Sequence, residues 1–409
     1  MGPGLLATVK SQADRTAQWA AIALGFSIPL STALDNVLLV LVAVGWLASC
    51  AWRETWQATR ANTMALAALA LFALLALGTL YGERNPGDAT TYLGKYVDLL
   101  FVPVFAFVFR DAALRRRATY ALAASLALVL AISFLIAAGM PVAKPLLGSP
   151  GNPVVFKQYL THGILMAYGA FLFAELALTE TARGRRVLWF VAAIAAAVNV
   201  MFLGQGRTGY LLLAVLAVYL GYCWMRWRGL ALALALTAAT VTAAALIPGP
   251  FQQRLGLAAG EQASSPISQG AQISTAQRLE FYRTSLAIIR DHPLLGVGTG
   301  GFSKAYAEKA QDGKIPKSRN PHSEYLHIMV QLGLVGLATL LYLFWTHWRL
   351  APRLASPREH HLTRGIILTI AVGCLINSLL LDHTEGLLYA WLTGLLFAGL
   401  QSRSDRVIE

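Results

Sequence analysis

Residues 118–138 read ATYALAASLALVLAISFLIAA and contain no charged side chain. An α-helix needs about 20 predominantly apolar residues to cross the hydrocarbon core of a bilayer, so this stretch predicts a transmembrane helix. The Arg115-Arg116-Arg117 triplet directly before it is typical of a cytoplasmic helix end. The segment predicts a membrane protein, and the rest of the chain repeats its pattern.

Long apolar runs separated by short Arg-bearing breaks extend over nearly the whole chain. Of the 409 residues, 56% are hydrophobic and only 13% are charged, whereas about 25% of a soluble protein is charged. We predict an all-α polytopic integral membrane protein with about twelve transmembrane helices, which excludes soluble, disordered and coiled-coil classes. The predicted spans are 16–31, 34–51, 62–81, 92–109, 118–138, 157–177, 187–203, 209–225, 230–247, 323–347, 364–381 and 386–401.

The cations predict the orientation. Outside residues 248–322, most Lys and Arg lie in breaks that a cytoplasmic N-terminus places in the cytoplasm, as the positive-inside rule expects, and an even number of spans puts both termini there. The net charge of +13 is therefore explained by membrane topology before a nucleic-acid partner is considered. We divide the chain into helices one to nine (1–247), an extracytoplasmic loop domain (248–322), and the last three helices with the C-terminus (323–409).

The loop domain contains a predicted amphipathic helix that ends before Pro293. It starts with a capping box, Ser274 followed by Gln277, and its apolar stripe comprises Leu279, Tyr282, Leu286 and Ile289. Arg278 and Arg283 are five residues apart, so they point roughly 140° from one another and cannot serve one ligand from the same face. The glycine-rich stretch 291–302, DHPLLGVGTGGF, is consistent with either a phosphate cradle or packing against a span.

Two residues on the outer side have the chemistry of a base and its partner. His322 lies where the loop enters a span, and the positive end of a helix lowers an imidazole pKa, which suits a proton acceptor; a packed or capping histidine is the alternative. Asp382 in the last outer turn is predicted to orient a base or balance cations, with a solvated turn residue as the alternative.

Four cations are candidate substrate-binding residues. Arg207 in the outer turn Gly204–Gly209 runs against the positive-inside trend, so either an anion compensates it or it snorkels to head groups. Lys95, about one turn inside the fourth span, is either a ligand group or the partner of Asp98. Arg278 and Arg319 of the loop domain complete the set.

Metal chemistry is not expected. His322 and His327 are five residues apart, which differs from the i, i+4 zincin spacing, and the chain has no Asp-x-Asp motif. The three cysteines, Cys50, Cys223 and Cys374, are scattered over separate apolar runs, which argues against a disulfide framework. We predict neither a metal nor another cofactor.

The chain resembles the bacterial O-antigen ligases, in a superfamily that also holds O-antigen polymerases and protein O-oligosaccharyltransferases. Four motifs and a layout similar across nearly the whole chain carry the resemblance: Gln277-Arg278-Leu-Glu-Phe-Tyr282, Asp291-His-Pro-Leu-Leu-Gly-Val-Gly-Thr-Gly-Gly-Phe302, Pro321-His322-Ser-Glu-Tyr325-Leu326 and Gly333-Leu-Val-Gly336.

The resemblance implies transfer of O-antigen polysaccharide from undecaprenyl diphosphate to a sugar hydroxyl of the lipid A core, at the periplasmic face of the bacterial inner membrane. In the family pattern, His322 matches the essential histidine, Arg207 and Arg278 the essential arginines, and Asp382 a functional acid. Chemically, guanidinium groups stabilise a departing diphosphate and a histidine deprotonates the attacking hydroxyl, so direct displacement would invert the anomeric carbon.

The sequence alone leaves other functions open. A polymerase or a protein O-oligosaccharyltransferase would use the same donor and the same residues. A transporter of a lipid-linked anion would carry ionisable groups near mid-membrane, a description that Asp98 and Glu175 approach.

Overall fold

The computed structural model describes residues 3–82, 86–140, 148–204, 206–246, 275–310 and 318–400. These residues are helical, and they contain only isolated β-bridges instead of strands. The helices are α1 (Pro3–Ser27), α2 (Thr32–Ala48), α3 (Trp52–Ala61), α4 (Thr63–Gly78), α5 (Pro86–Lys95), α6 (Asp98–Val108), α7 (Ala112–Ala137), α8 (Tyr159–Thr179), α9 (Arg183–Val198), α10 (Arg207–Leu246), α11 (Thr275–Asp291), α12 (Phe302–Lys309), α13 (Glu324–Leu350), α14 (Pro357–Gly373) and α15 (His383–Phe397).

The C-terminal helix α15 lies at the centre of the bundle. Almost all of its side chains are buried, including Tyr389 and Trp391, and it packs mainly against α6 and α14. The Trp391 indole N–H donates to the carbonyl of Ala21 at 2.8 Å, which ties α15 to α1. A helix that is apolar on all sides can face either lipid or other helices, and here packing places it inside the bundle.

The membrane-spanning character of the protein is visible in its helices. Among the described residues, six helical segments are long and apolar enough to cross a membrane, or seven when the bent pair α2–α3 is taken as one span. On α9, a row of large apolar residues (Val187, Leu188, Phe190, Val191 and Ile194) is exposed, as expected for a surface in contact with lipid. The count of about twelve crossings stays a prediction, since α4, α14 and α15 are shorter than the roughly 20 residues of a full crossing.

The chain reverses direction inside α10. Arg226 has a φ of +54°, and a Cβ on Gly221 would lie 2.5 Å from the carbonyl oxygen of Gly229. Eight residues of straight helix would separate those positions by about 12 Å, so the two arms of α10 form a hairpin. The predicted break between residues 225 and 230 is therefore present.

A second break interrupts α13 at Gly333, whose φ is +62°. The glycine-rich stretch 291–302 fills it: the amides of Val297 and Gly298 donate to the carbonyls of Val330 and Gln331, both at 2.9 Å. The Leu334 amide donates in turn to the carbonyl of Pro293 at 2.8 Å. The loop thus satisfies the backbone groups that the break leaves without helical partners.

This packing decides between the two interpretations of the glycine-rich stretch. The Thr299 amide donates to the carbonyl of Gly78 at 2.8 Å, and the Gly300 amide donates to the Gln331 side chain at 2.8 Å. The amides that would have formed a phosphate cradle are therefore engaged with protein. Packing against a span is the observed role.

The predicted loop helix is present as α11, with a partly different buried face. Ser274 of the capping box lies outside the described residues. Of the predicted apolar stripe, Leu279 and Leu286 are exposed, whereas Ile289 is buried, together with Phe281 and Ile288, against α12 and α13. The predicted stripe was therefore correct at Ile289 and wrong at Leu279 and Leu286, because contacts with two other helices select the buried face.

Candidate functional site

His322 lies in the short link before α13 with a backbone conformation that is unusual for a non-glycine residue. Its φ is +54°, in the left-handed region, which costs on the order of 1–3 kcal/mol. Its amide donates to the side-chain oxygen of Asn320 at 2.9 Å, and the Tyr282 hydroxyl donates to its carbonyl at 3.4 Å. Two neighbouring side chains therefore hold a strained link in place, as is common at functional sites.

The His322 imidazole is half-buried beside a cation. Its ring centroid is 5.7 Å from that of Phe281. Burial, and secondly the positive charge of Arg278, lower its pKa from the ordinary 6.5 to about 4. The pKa is lowered in the predicted direction, and burial and the charge of Arg278 are its causes.

Arg278 reaches the same place from α11. Its Nη1 donates to the carbonyl of Ile376 at 3.3 Å, while its Nε is buried and has no hydrogen-bond partner in the structure. Arg283, on the same helix, is exposed and pairs only loosely with Glu280 at 4.0 Å. The prediction that these two arginines diverge is confirmed, and Arg278 retains an unsatisfied donor next to His322.

The turn formed by residues 374–378, which follows α14, connects the functional segments. Its backbone carbonyls accept from Arg278, from the Tyr282 hydroxyl at 3.3 Å, and from the Glu324 amide at 2.9 Å. Its Asn377 side chain donates to the hydroxyl of Thr208 at 2.8 Å, next to the exposed Arg207 that starts α10. The turn thereby brings the Arg207 end of α10 to the elements that carry Arg278 and His322, a role that no sequence motif indicated.

Glu324 is a buried carboxyl that the sequence analysis missed. The Tyr96 hydroxyl donates to its Oε1, and the Leu380 amide donates to its Oε2 at 3.1 Å. It therefore fixes the start of α13 against the link between α5 and α6 and against the segment that leads to Asp382. Its position two residues after His322 could have indicated a role beside that residue. A glutamate is also common in the first turn of a helix simply because the helix dipole stabilises its negative charge, so the position alone did not identify it.

Asp382 and Lys95 lie close enough to influence each other electrostatically. Asp382 is solvent-accessible at the start of α15, yet surrounding protein desolvates it enough to raise the pKa of its carboxyl, against the opposing charge of Lys95. Arg319 is exposed, and its carbonyl accepts from the Tyr92 hydroxyl.

The predicted alternative for Lys95, a pair with Asp98, was wrong. Lys95 is exposed at the end of α5, whereas Asp98 is buried beside His383 and Asp35. The two side chains differ because the chain turns between α5 and α6, so three residues of separation no longer correspond to one helix face.

A buried ionic cluster lies behind Asp382, and sequence spacing did not reveal it. Asp35 Oδ2 is 3.4 Å from His383 Nε2 and 3.9 Å from Lys157 Nζ, and its Oδ1 accepts from the Ser27 hydroxyl at 2.6 Å. The members come from three distant parts of the chain, so only the fold assembles them.

The described residues contain no group of three or more His, Cys, Asp or Glu placed to hold a metal ion. His322 and His327, which spacing had already separated, lie in different surroundings. Metal independence stays a prediction.

The fold and the site define a helical membrane protein in which Arg278 lies beside a half-buried histidine, His322. Residues 190–341 match the family model described as O-antigen ligase, and this match supports the O-antigen ligase superfamily. The match indicates an enzyme of the O-antigen ligase and polymerase class of glycosyltransferases. It includes Arg207, Arg278, Arg319 and His322, and excludes Lys95 and Asp382. No curated protein matches the chain.

Proposed function

We propose that this protein transfers O-antigen polysaccharide from undecaprenyl diphosphate to a sugar hydroxyl of the lipid A core. The observation that carries the proposal is the pair of Arg278 and His322 inside the matched segment: a cation with an unsatisfied buried donor beside a half-buried, neutral imidazole. An anionic leaving group and a proton-bearing nucleophile are the two substrates that such a pair serves.

His322 acts as the general base. With a pKa of about 4, its imidazole is unprotonated at neutral pH and accepts the proton of the acceptor hydroxyl as the oxygen attacks. A lower pKa also makes the imidazole a weaker base. The advantage of the shift is that nearly every molecule carries the unprotonated imidazole at neutral pH. The constrained backbone at His322 helps to fix the direction of the ring.

Arg278 and Arg207 hold the diphosphate. As the bond from the anomeric carbon to the phosphate oxygen breaks, the electron pair moves to the diphosphate, whose growing charge both guanidinium groups stabilise. The unsatisfied Arg278 Nε–H together with an Nη–H provides two donors in one plane, which suits bidentate binding of phosphate oxygens. Attack from the opposite side inverts the anomeric carbon.

Asp382, Lys95 and Arg319 serve the substrates at the rim of the site. The accessible Asp382 carboxylate accepts hydrogen bonds from acceptor hydroxyls and orients the one that reacts, while Lys95 and Arg319 attract anionic substrate groups. In this proposal the reaction takes place at the periplasmic face of the inner membrane, with both termini in the cytoplasm. The distribution of Lys and Arg supports that orientation. A reporter fused after Gly260 that is active only in the cytoplasm would overturn it.

The experiment that tests the activity combines purified protein with lipid-linked O-antigen and, separately, lipid A core, a second lipid-linked glycan or an acceptor protein. We expect product only with lipid A core, without nucleotide or added divalent ion. Product only with the second glycan would identify a polymerase, and product only with the protein an O-oligosaccharyltransferase. Inhibition by EDTA would contradict the metal-free mechanism.

A transporter of a lipid-linked anion is the second candidate, and the buried cluster around Asp35 favours it. Ionisable groups inside a membrane bundle mark transport paths as well as catalytic sites. Proteoliposomes loaded with lipid-linked glycan distinguish the two: movement between leaflets without transfer would support transport, and transfer without such movement would support the enzyme.

A further inference from the structure

A cavity of about 530 Å³ lies at the end of the bundle where α7 and α14 begin. Helix α14 runs from this cavity to the 374–378 turn, so its 17 residues separate the cavity from the Arg278 region by about 25 Å. The charged side chains that line the cavity are Arg115, Arg116, Arg358 and Glu359. None of them belongs to the proposed catalytic site.

The cavity carries uncompensated positive charge. Arg115 is buried, and its Nε donates to Glu359 Oε1 at 2.8 Å, so these two charges cancel. Arg116 makes no hydrogen bond or ion pair within the described part of the chain, and Arg358 bonds Thr179 only through its Nε and Nη2. Even when the Asp111 carboxylate that caps α7 is counted, three arginines face two carboxylates. The remaining charge favours an anion.

The cavity also requires a hydrogen-bond donor from its ligand. Glu359 Oε2 is buried and has no hydrogen-bond partner in the structure. Leaving a buried carboxylate oxygen unsatisfied is unfavourable, so a ligand with a hydroxyl group near its negative charge fits better than a bare anion. The rest of the lining, including Ala112, Ala113 and Leu362, is apolar and suits hydrocarbon.

We propose that this cavity binds the headgroup of an anionic glycerophospholipid with hydroxyl donors, of the phosphatidylglycerol type. The phosphodiester binds Arg116 and the free Nη1 of Arg358, a headgroup hydroxyl donates to Glu359 Oε2, and the glycerol and first methylenes contact the apolar lining. Basic pockets between transmembrane helices commonly bind anionic headgroups. The site is independent of the proposed glycosyl transfer.

Native mass spectrometry of the full chain in neutral detergent tests the proposal. We expect phosphatidylglycerol to remain bound in preference to phosphatidylethanolamine and phosphatidylcholine, and inorganic phosphate not to compete at equal concentration. Arg116→Ala combined with Arg358→Ala should weaken phosphatidylglycerol binding about 10- to 30-fold, from the loss of two cation contacts.

The matched control is Arg53→Ala with Arg60→Ala, two exposed arginines on α3 outside the cavity, which should leave binding unchanged. Because Arg358 contacts Thr179, a folding defect is checked by size-exclusion chromatography, and Arg116→Glu alone, at an exposed residue, provides a second test with the same expected loss. Unchanged affinity in Arg116→Glu, an equal loss in the control, or equal binding of phosphatidylethanolamine would overturn the lipid assignment. Competition by inorganic phosphate would show an anion site without lipid selectivity and would also overturn it.

Discussion

His322 and His327 are five residues apart, and both lie near the start of α13, but their surroundings differ. His322 is half-buried, with a constrained backbone and Arg278 beside it. His327 is fully buried between the rings of Tyr92 and Phe302, at 5.2 and 5.4 Å, and neither ring nitrogen has a hydrogen-bond partner in the structure. Of the two, His322 is the residue that we propose exchanges a proton with a substrate.

The two histidines lie on either side of the start of α13, which gives them different surroundings. His322 precedes α13 and stays in the link that faces α11, whereas His327 is one turn inside α13 and points into its packed interior. A buried histidine without partners remains neutral and acts as an aromatic core residue. Substitutions of these two histidines and of Arg207 and Arg278 test this contrast.

Replacing His322 by Ala should reduce turnover about 10²- to 10⁴-fold, because a general base contributes that much. Donor binding and membrane insertion should persist, since the ring makes few structural contacts. Initial rates of glycan transfer in reconstituted vesicles measure the effect. Turnover near the wild-type value would contradict the role of His322 as base.

Replacing Arg278 or Arg207 by Lys should raise the barrier to transfer by about 2–4 kcal/mol, nearly as much as replacement by Ala. Lysine keeps the charge but loses the planar pair of donors. The control is Arg283→Lys, at an exposed residue of α11, which should retain activity. If both Lys variants transfer glycan at the wild-type rate, the arginines supply only diffuse positive charge.

The pH profile should change in a defined direction when Arg278 is removed. In the wild type, the active unprotonated form of His322 is lost only as pH falls through about 4, so kcat/KM should not decline between pH 7 and 5 because of this group. Arg278→Ala removes a charge that lowers the His322 pKa, so the acid limb of the residual activity should move to higher pH. A limb that stays in place, or moves to lower pH, would show that Arg278 does not act on His322.

The smallest effect is expected for His327→Leu. The leucine fills a similar apolar space and removes two buried nitrogens that have no partners, so stability should remain the same or increase by about 1 kcal/mol. Turnover should stay within about threefold of the wild-type rate. We expect the change to appear in the thermal unfolding temperature rather than in kinetics. A large loss of turnover with intact folding would give His327 a chemical role.

Several parts of the fold could be predicted from local sequence. The apolar run 118–138 predicted α7, the break near Arg226 predicted the reversal in α10, and the helix before Pro293 is α11. Such features depend on hydrophobicity, chain length and helix-ending residues, which act over one helix at a time. The divergence of Arg278 and Arg283 followed from helical spacing in the same way.

Other parts depended on contacts between distant residues. The buried face of α11, the separation of Lys95 from Asp98, and the ionic cluster of Asp35 with Lys157 and His383 all result from packing between helices. Sequence spacing describes one helix and carries no information about which neighbour faces it. The predictions for the buried face of α11 and for the Lys95–Asp98 pair therefore failed, wholly or in part, and the ionic cluster was not predicted.

By itself, the sequence determined that this protein is a helical membrane bundle and that His322 and Arg278 are candidates for one site, because hydrophobic runs and short motifs are local properties. The tertiary structure decided that the glycine-rich stretch completes the break at Gly333 instead of cradling phosphate, and that Glu324 and the 374–378 turn hold the site elements together. The physical reason is that buried backbone amides and carboxylates must find hydrogen-bond partners, and in this fold those partners lie far away in the chain.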